Sequence, residues 1–158
     1  MDYTNKLKGK VALVAGATRG AGRGIACMLG EAGATVYCTG RSVKGEPSDK
    51  NRPETIQETA EMVSLRGGNG IYVRVDHTDQ EQVRELFERV KQEQNGRLDI
   101  LVNDLTGDGN MEFKQFTKHS LEKGLQLLHN GSLSHIITSY YGIPLMEQSG
   151  GGLIVEVV

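Results

Sequence analysis

Short apolar runs and helically spaced apolar positions take turns along this chain of 158 residues. The first run, Val11 to Val14, leads into glycines at Gly16, Gly20 and Gly22. Ile25, Met28, Leu29 and Ala32 follow at i, i+3, i+4 and i+7, the spacing of one helix face. This order predicts a strand, a tight turn and a helix stopped by Gly33. ATVYCTG (34–40) is rich in β-formers and predicts a second strand. Pro53 suits the first turn of a second helix, with Ile56, Ala60 and Val63 inward. IYVRVD (71–76) predicts a third strand. Thr78 with Glu81 has the pattern of a capping box, opening a helix that buries Val83, Leu86, Phe87 and Val90. RLDILVN (97–103) predicts a fourth strand buried on both faces. Leu121, Leu125 and Leu128 begin a further helical face, which resumes through Ile136, Ile137, Tyr140, Tyr141 and Ile143. Beyond Gly150 to Gly152, LIVEVV predicts a fifth strand. Strands alternating with helices make parallel βαβ units, and the class is α/β.

The strand-to-helix turn at residues 15–22 carries the first chemical signal. Glycines allow backbone close to a ligand, and the amides and positive dipole end of a helix favour an anion. The implied ligand is a dinucleotide pyrophosphate, with an unliganded glycine turn as the alternative. The spacing G-x-x-x-G-x-G is not that of a P-loop, and no Lys-Ser or Lys-Thr follows, which argues against nucleotide triphosphate hydrolysis. About 20 residues past the glycines, where an acidic side chain would accept from the ribose 2′-hydroxyl of NAD, the chain has Gly40 and Arg41. With Arg19 in the glycine turn, two guanidiniums are available for a 2′-phosphate, and NADP is expected over NAD. A solvated surface arginine is the alternative for each. The polar loop 42–52 adds Lys44 as a third phosphate contact, or is a solvated insertion.

With its flanks, AGATRGAGRG resembles the cofactor loop of the short-chain dehydrogenase/reductase family, with Ala15 where a threonine is usual. The resemblance implies a doubly wound Rossmann-type parallel sheet in the order 3-2-1-4-5, with the cofactor across the carboxyl ends at the switch between strands 1 and 4. It implies cofactor contacts at Gly16, Thr18, Arg19, Gly20, Ala21, Gly22 and Arg41, at Asp76 toward the adenine, and at Asn103 toward the nearby ribose. His77 reads as a surface histidine. The family's Asn-Asn-Ala-Gly is Asn103-Asp104-Leu105-Thr106 here, which keeps the first member alone. In the family an asparagine in the helix after strand 4 holds a water of the proton relay. Asn130 is the nearest match, one residue out of register counted back from Pro144 and Met146. The segments 42–52 and 106–120 give the chain the look of the branch that includes dehydrogenase/reductase member 1-like proteins.

A net charge of −2 argues against nucleic acid and anionic membrane as partners. No apolar run approaches the ~18 residues of a membrane span. The two cysteines, Cys27 and Cys38, read as buried free thiols, so the chain is expected to be cytoplasmic. His77, His119, His129 and His135 show no metal-binding spacing. One domain over 1–158 is expected, and the resemblance implies a homo-oligomer acting on a small alcohol or carbonyl compound.

Family chemistry uses a serine and a Tyr-x-x-x-Lys in which lysine brings the phenol into working range. The five tyrosines are followed four residues on by Leu7, Arg41, Asp76, Pro144 and Leu145, so no catalytic residue is assigned within the chain. The serine and the Tyr-x-x-x-Lys are expected beyond Val158, with the sheet truncated after its fifth strand. The other readings are a non-catalytic NADP-binding module and a remnant whose glycine turn is empty.

Overall fold

The computed structural model describes residues 4–46, 52–106 and 113–158. Parts of two predicted loops, 47–51 and 107–112, lie outside the described residues. Five strands, β1 (Val11–Ala15), β2 (Thr35–Gly40), β3 (Asn69–Arg74), β4 (Ile100–Asn103) and β5 (Leu153–Glu156), form one sheet in the order β3-β2-β1-β4-β5. Every neighbouring pair is parallel. The α/β class and the expected strand order are both found.

All five residues of β1 are buried, because helices cover both faces of the central strand. Val11, Leu13 and Ala15 pack with Tyr37, Leu101 and the apolar side of α3 (Gln80–Glu93) and α5 (Ser134–Gln148). Ala12 and Val14 join Val36, Cys38 and the inward residues of α1 (Gly20–Glu31) and α2 (Ile56–Leu65). The small side chains Ala12, Ala26, Ala34 and Ala60 let these two helices lie close to the sheet. Tyr37 is fully buried as far as its ring, and its hydroxyl donates to Glu93 Oε2 at 2.7 Å, tying β2 to the end of α3. Burial, and then the hydrogen bond to Glu93, push this phenol up to about 12.

Several local expectations move. α2 starts at Ile56, capped by the Thr55 hydroxyl, so Pro53 precedes the helix. The cap of α3 is Asp79, whose Oδ1 accepts from the amides of Glu81 and Gln82, while Thr78 is engaged by Asp76. A carboxylate one residue nearer the helix wins over the hydroxyl of the Thr78 pattern. On α1, Met28 is 53% exposed, and Ala26, Cys27 and Gly30 are buried instead. Gly30 is there because a Cβ would meet Val63 of α2, and this crossing turns the helix away from the face that simple periodicity predicts. Gly33, at φ +90°, does terminate α1.

Between α4 (Leu121–Leu128) and α5, His129–Leu133 form a π-helical turn. Such a turn takes up one residue more than an α turn, which equals the offset of Asn130. Leu121, Leu125, Leu128, Ile136 and Tyr140 along these helices are all more than half exposed.

Candidate functional site

The carboxyl ends of β1 to β4 bring the predicted residues to one edge of the sheet. Gly16 follows β1, Arg41 follows β2, Asp76 lies just past β3, and Asn103 closes β4. The glycine turn is bonded to the end of β2, with the amides of Gly16 and Ala17 both donating to the Thr39 carbonyl at 3.1 and 3.0 Å. A Cβ on Gly40 would lie 2.8 Å from Thr18 Oγ1, so the segments carrying Arg19 and Arg41 are in close contact.

The three glycines do different work. A Cβ on Gly16 (φ +92°) would overlap the Asp104 carbonyl, and one on Gly22 would overlap the Gly16 carbonyl. Both are required by the chain's own backbone. Gly20 (φ +57°) has open space where its side chain would be, so it is the glycine that faces outward. Arg19 precedes α1 as its N-cap without a side-chain capping bond. The Gly22 amide donates to Asp104 Oδ2. Gly22 is thus a supporting position, and the first amides of α1, at Gly20 and Ala21, form the cradle that an anion would meet. The open space at Gly20 and the lack of a capping bond from Arg19 fit a dinucleotide phosphate.

A second layer fixes the turn. Arg23 Nε donates to the Thr18 carbonyl at 3.0 Å and to Thr59 Oγ1 at 3.1 Å. Its Nη2 reaches the Thr55 carbonyl and, at 2.7 Å, Glu58. Thr59 Oγ1 in turn donates to the Ala17 carbonyl at 2.8 Å. The turn is stapled to the first turn of α2 by two side chains that sequence reasoning did not single out. Their signal is too small, since an arginine and a threonine on helices are ordinary residues until the crossing is known.

Arg41 is 56% exposed on its side chain and 3.9 Å from Asp76, and Arg19 is 3.9 Å from Glu54. Burial of Asp76 works against its ionisation. The Thr78 hydroxyl and amide, with the Arg41 charge, outweigh it and hold the carboxyl below the usual range. Beside it His77 corrects the surface expectation. It is 3% exposed, with Nε2 at 2.7 Å from Thr39 Oγ1 and Nδ1 at 2.9 Å from Thr138 Oγ1. The end of β3 turns inward under α5, and this contact between distant segments has no local pattern.

Asn103 is fully buried. Its Nδ2 donates to Glu156 Oε1 at 2.8 Å and Ser139 Oγ at 2.9 Å, and its Oδ1 has no partner among the described residues. His135 completes this cluster, with Nδ1 at 2.5 Å from Glu156 Oε2 and Nε2 at 2.9 Å from the Leu105 carbonyl. The amide of Asn103 thus braces β4 against β5 and α5. Asn130 bonds within its own helix, accepting from Gln126 and, through its carbonyl, from Ser134. No group of three or more His, Cys, Asp or Glu able to hold a metal occurs among the described residues. No helix described here is long and apolar enough to cross a membrane.

Comparison with known proteins agrees with this geometry. Residues 10–158 match the short chain dehydrogenase family. Mouse dehydrogenase/reductase SDR family member 1 is 39% identical over 155 residues, which are 96% of this chain and 46% of that protein. The chain therefore spans about half the length of that relative. Among solved structures, a short chain dehydrogenase from Mycobacterium thermoresistibile superposes with a TM-score of 0.83 at 24% identity, covering 96% of this chain and 51% of the other. The NADH-dependent reductase A1-R′, solved with NAD, superposes with a TM-score of 0.77 at 20% identity, covering 96% and 60%. These two share the fold. On the family match and on a sheet and glycine turn of the kind it implies, the chain belongs to the short-chain dehydrogenase/reductase family of oxidoreductases.

Proposed function

We propose that this chain is the NADP(H)-binding part of an oxidoreductase that acts on a small alcohol or carbonyl compound. The family uses NAD(P), and the observation that carries the finer reading is the meeting of the Thr18–Arg19 turn with the Gly40–Arg41 end of β2. Arg19 and Arg41 are suited to a 2′-phosphate, and the residue directly after β2 is Arg41 where a carboxylate would accept from a ribose 2′-hydroxyl. Bound there, the cofactor supplies the hydride acceptor or donor. The chain's own part is to present the Gly20 and Ala21 amides to the pyrophosphate, the arginines to the 2′-phosphate and Asp76 to the adenine amino group. Asn103 holds the ends of β4 and β5 together beneath the nearby ribose.

Titration of NADP⁺ and NAD⁺ into wild type and Arg41→Ala tests this reading. Loss of one charge-assisted contact weakens NADP⁺ by about tenfold to a hundredfold and leaves NAD⁺ nearly unchanged. Equal NADP⁺ binding by both proteins would refute the 2′-phosphate assignment. The catalytic serine and Tyr-x-x-x-Lys belong to a longer reading frame in this proposal. A non-catalytic NADP-binding module is the second reading. Turnover of a carbonyl panel by the whole reading frame separates the two.

A second copy of the chain is the proposed cover for the apolar strip of Leu121, Leu125, Leu128, Ile136 and Tyr140, each more than half exposed. Sedimentation velocity should show a dimer or larger assembly that Ile136→Glu dissociates. A monomeric wild type refutes that arrangement. The cytoplasmic setting is supported by Cys27 and Cys38, both buried and unpaired, with burial pushing the Cys38 thiol up to about 12.

A further inference from the structure

The groups that would hold the proposed cofactor's anions already have carboxylates of the protein beside them. At the start of α1 the Gly22 amide donates to Asp104 Oδ2. Glu54 lies between two arginines, 3.9 Å from Arg19 Nε and 3.1 Å from Arg52 Nε, with a second contact to Arg52 Nη2. Arg41 is 3.9 Å from Asp76. Hydrogen bonding from Arg52 holds the Glu54 carboxyl below its ordinary range, so the group is charged at neutral pH. Asp104 stands where the family resemblance leads one to expect an amide. An asparagine would accept from the same backbone N–H without bringing a charge.

We infer that Asp104 and Glu54 are internal counter-anions, which compete with the cofactor's pyrophosphate and 2′-phosphate respectively and thereby set how tightly each is held. The inference rests on the proposed dinucleotide site. Arg19, which opens α1 at its positive end, and Arg52 share Glu54 and repel one another in the absence of an anion, and the carboxylates relieve that repulsion. A phosphate arriving at the Gly20 and Ala21 amides, next to the Gly22 amide that Asp104 holds, or at Arg19, next to Glu54, then meets a neighbouring like charge, which has to move aside or be tolerated. The two carboxylates act on different parts of the ligand. Asp104 opposes the pyrophosphate common to both dinucleotides, while Glu54 opposes the 2′-phosphate, which NADP alone carries.

This difference makes the inference testable by calorimetric titration of NADP⁺ and NAD⁺ into the protein in the longest form that its reading frame encodes. Asp104→Asn retains an acceptor for the Gly22 amide and is expected to tighten both ligands by about tenfold. Glu54→Gln is expected to tighten NADP⁺ by a similar factor and leave NAD⁺ unchanged. Asp104→Ser, with a hydroxyl acceptor, serves if the asparagine variant does not fold. Unchanged or weaker binding by Asp104→Asn overturns the pyrophosphate half, and no gain for NADP⁺ in Glu54→Gln overturns the other. Failure of the underlying site reads differently. Wild type and both variants would then bind neither dinucleotide, and both readings fall together. Binding of both ligands with no response to Arg41→Ala removes the 2′-phosphate assignment while leaving the Asp104 result to stand on NAD⁺.

Discussion

Replacing His77 by glutamine should remove a specific part of the protein's acid sensitivity. The wild-type side chain is buried, and desolvation lowers its pKa from 6.5 to about 4, with Asp76 opposing and His135 adding to the shift. A group lowered on folding leaves stability intact above its unfolded value, here 6.5. As pH falls below that, the unfolded chain binds a proton that the native state refuses, and stability declines until the native ring also titrates near 4. Over the interval from about pH 7 to about pH 5 this linkage removes about 2 kcal/mol. Urea unfolding followed by circular dichroism at those two pH values measures it. His77→Gln should be less stable than wild type at neutral pH, yet lose about 2 kcal/mol less on acidification. The Thr39 and Thr138 hydroxyls donate to the Val14 and Ser134 carbonyls, which leaves both to accept from the ring, an arrangement that suits an imidazolium. If they offset desolvation, wild type and variant will show the same pH dependence, and if they outweigh it wild type will lose less than the variant; either result refutes the reasoning.

Gly16→Ala should destabilise by about 3 kcal/mol or more, because the new methyl overlaps the Asp104 carbonyl at a positive φ, whereas Gly20→Ala should lose only about 1 kcal/mol. Thermal melts of the pair check this, and equal losses would mean that steric contact with residue 104 is not what requires Gly16. Arg23→Met removes the bonds to Thr18, Thr59, Thr55 and Glu58 and should lower stability by about 2 kcal/mol. An unchanged urea midpoint would show that the staple carries no stability.

The sheet was legible because its signals are local. β1 is apolar throughout since both its faces are covered, and Gly33 ends α1 by a backbone angle that glycine adopts easily. The inward face of α3 reads off directly as Val83, Leu86, Phe87 and Val90, all buried. The edge residues Gly16, Arg41, Asp76 and Asn103 were also legible, because parallel strands align their carboxyl ends. What escaped depends on crossings. Met28 faces outward because Gly30 lets α2 approach the other side of α1. His77 is enclosed by Thr39 and Thr138, which lie 38 and 61 residues away. Arg23, Thr59 and Asp104 meet the glycine turn from three different elements, and no spacing along the chain announces it.

That meeting has a consequence for the thermodynamics of ligand capture. The turn between β1 and α1 is pinned by the Thr39 carbonyl, by Arg23 and Thr59, and by Asp104. Fixing one residue's backbone costs about 1–2 kcal/mol in entropy, and here the cost falls on folding. A dinucleotide therefore meets a turn that is already shaped and gives up little of its binding free energy to order it. Calorimetry should accordingly find a small conformational entropy loss at this turn, with the unfavourable entropy of association arising mainly from the ligand itself.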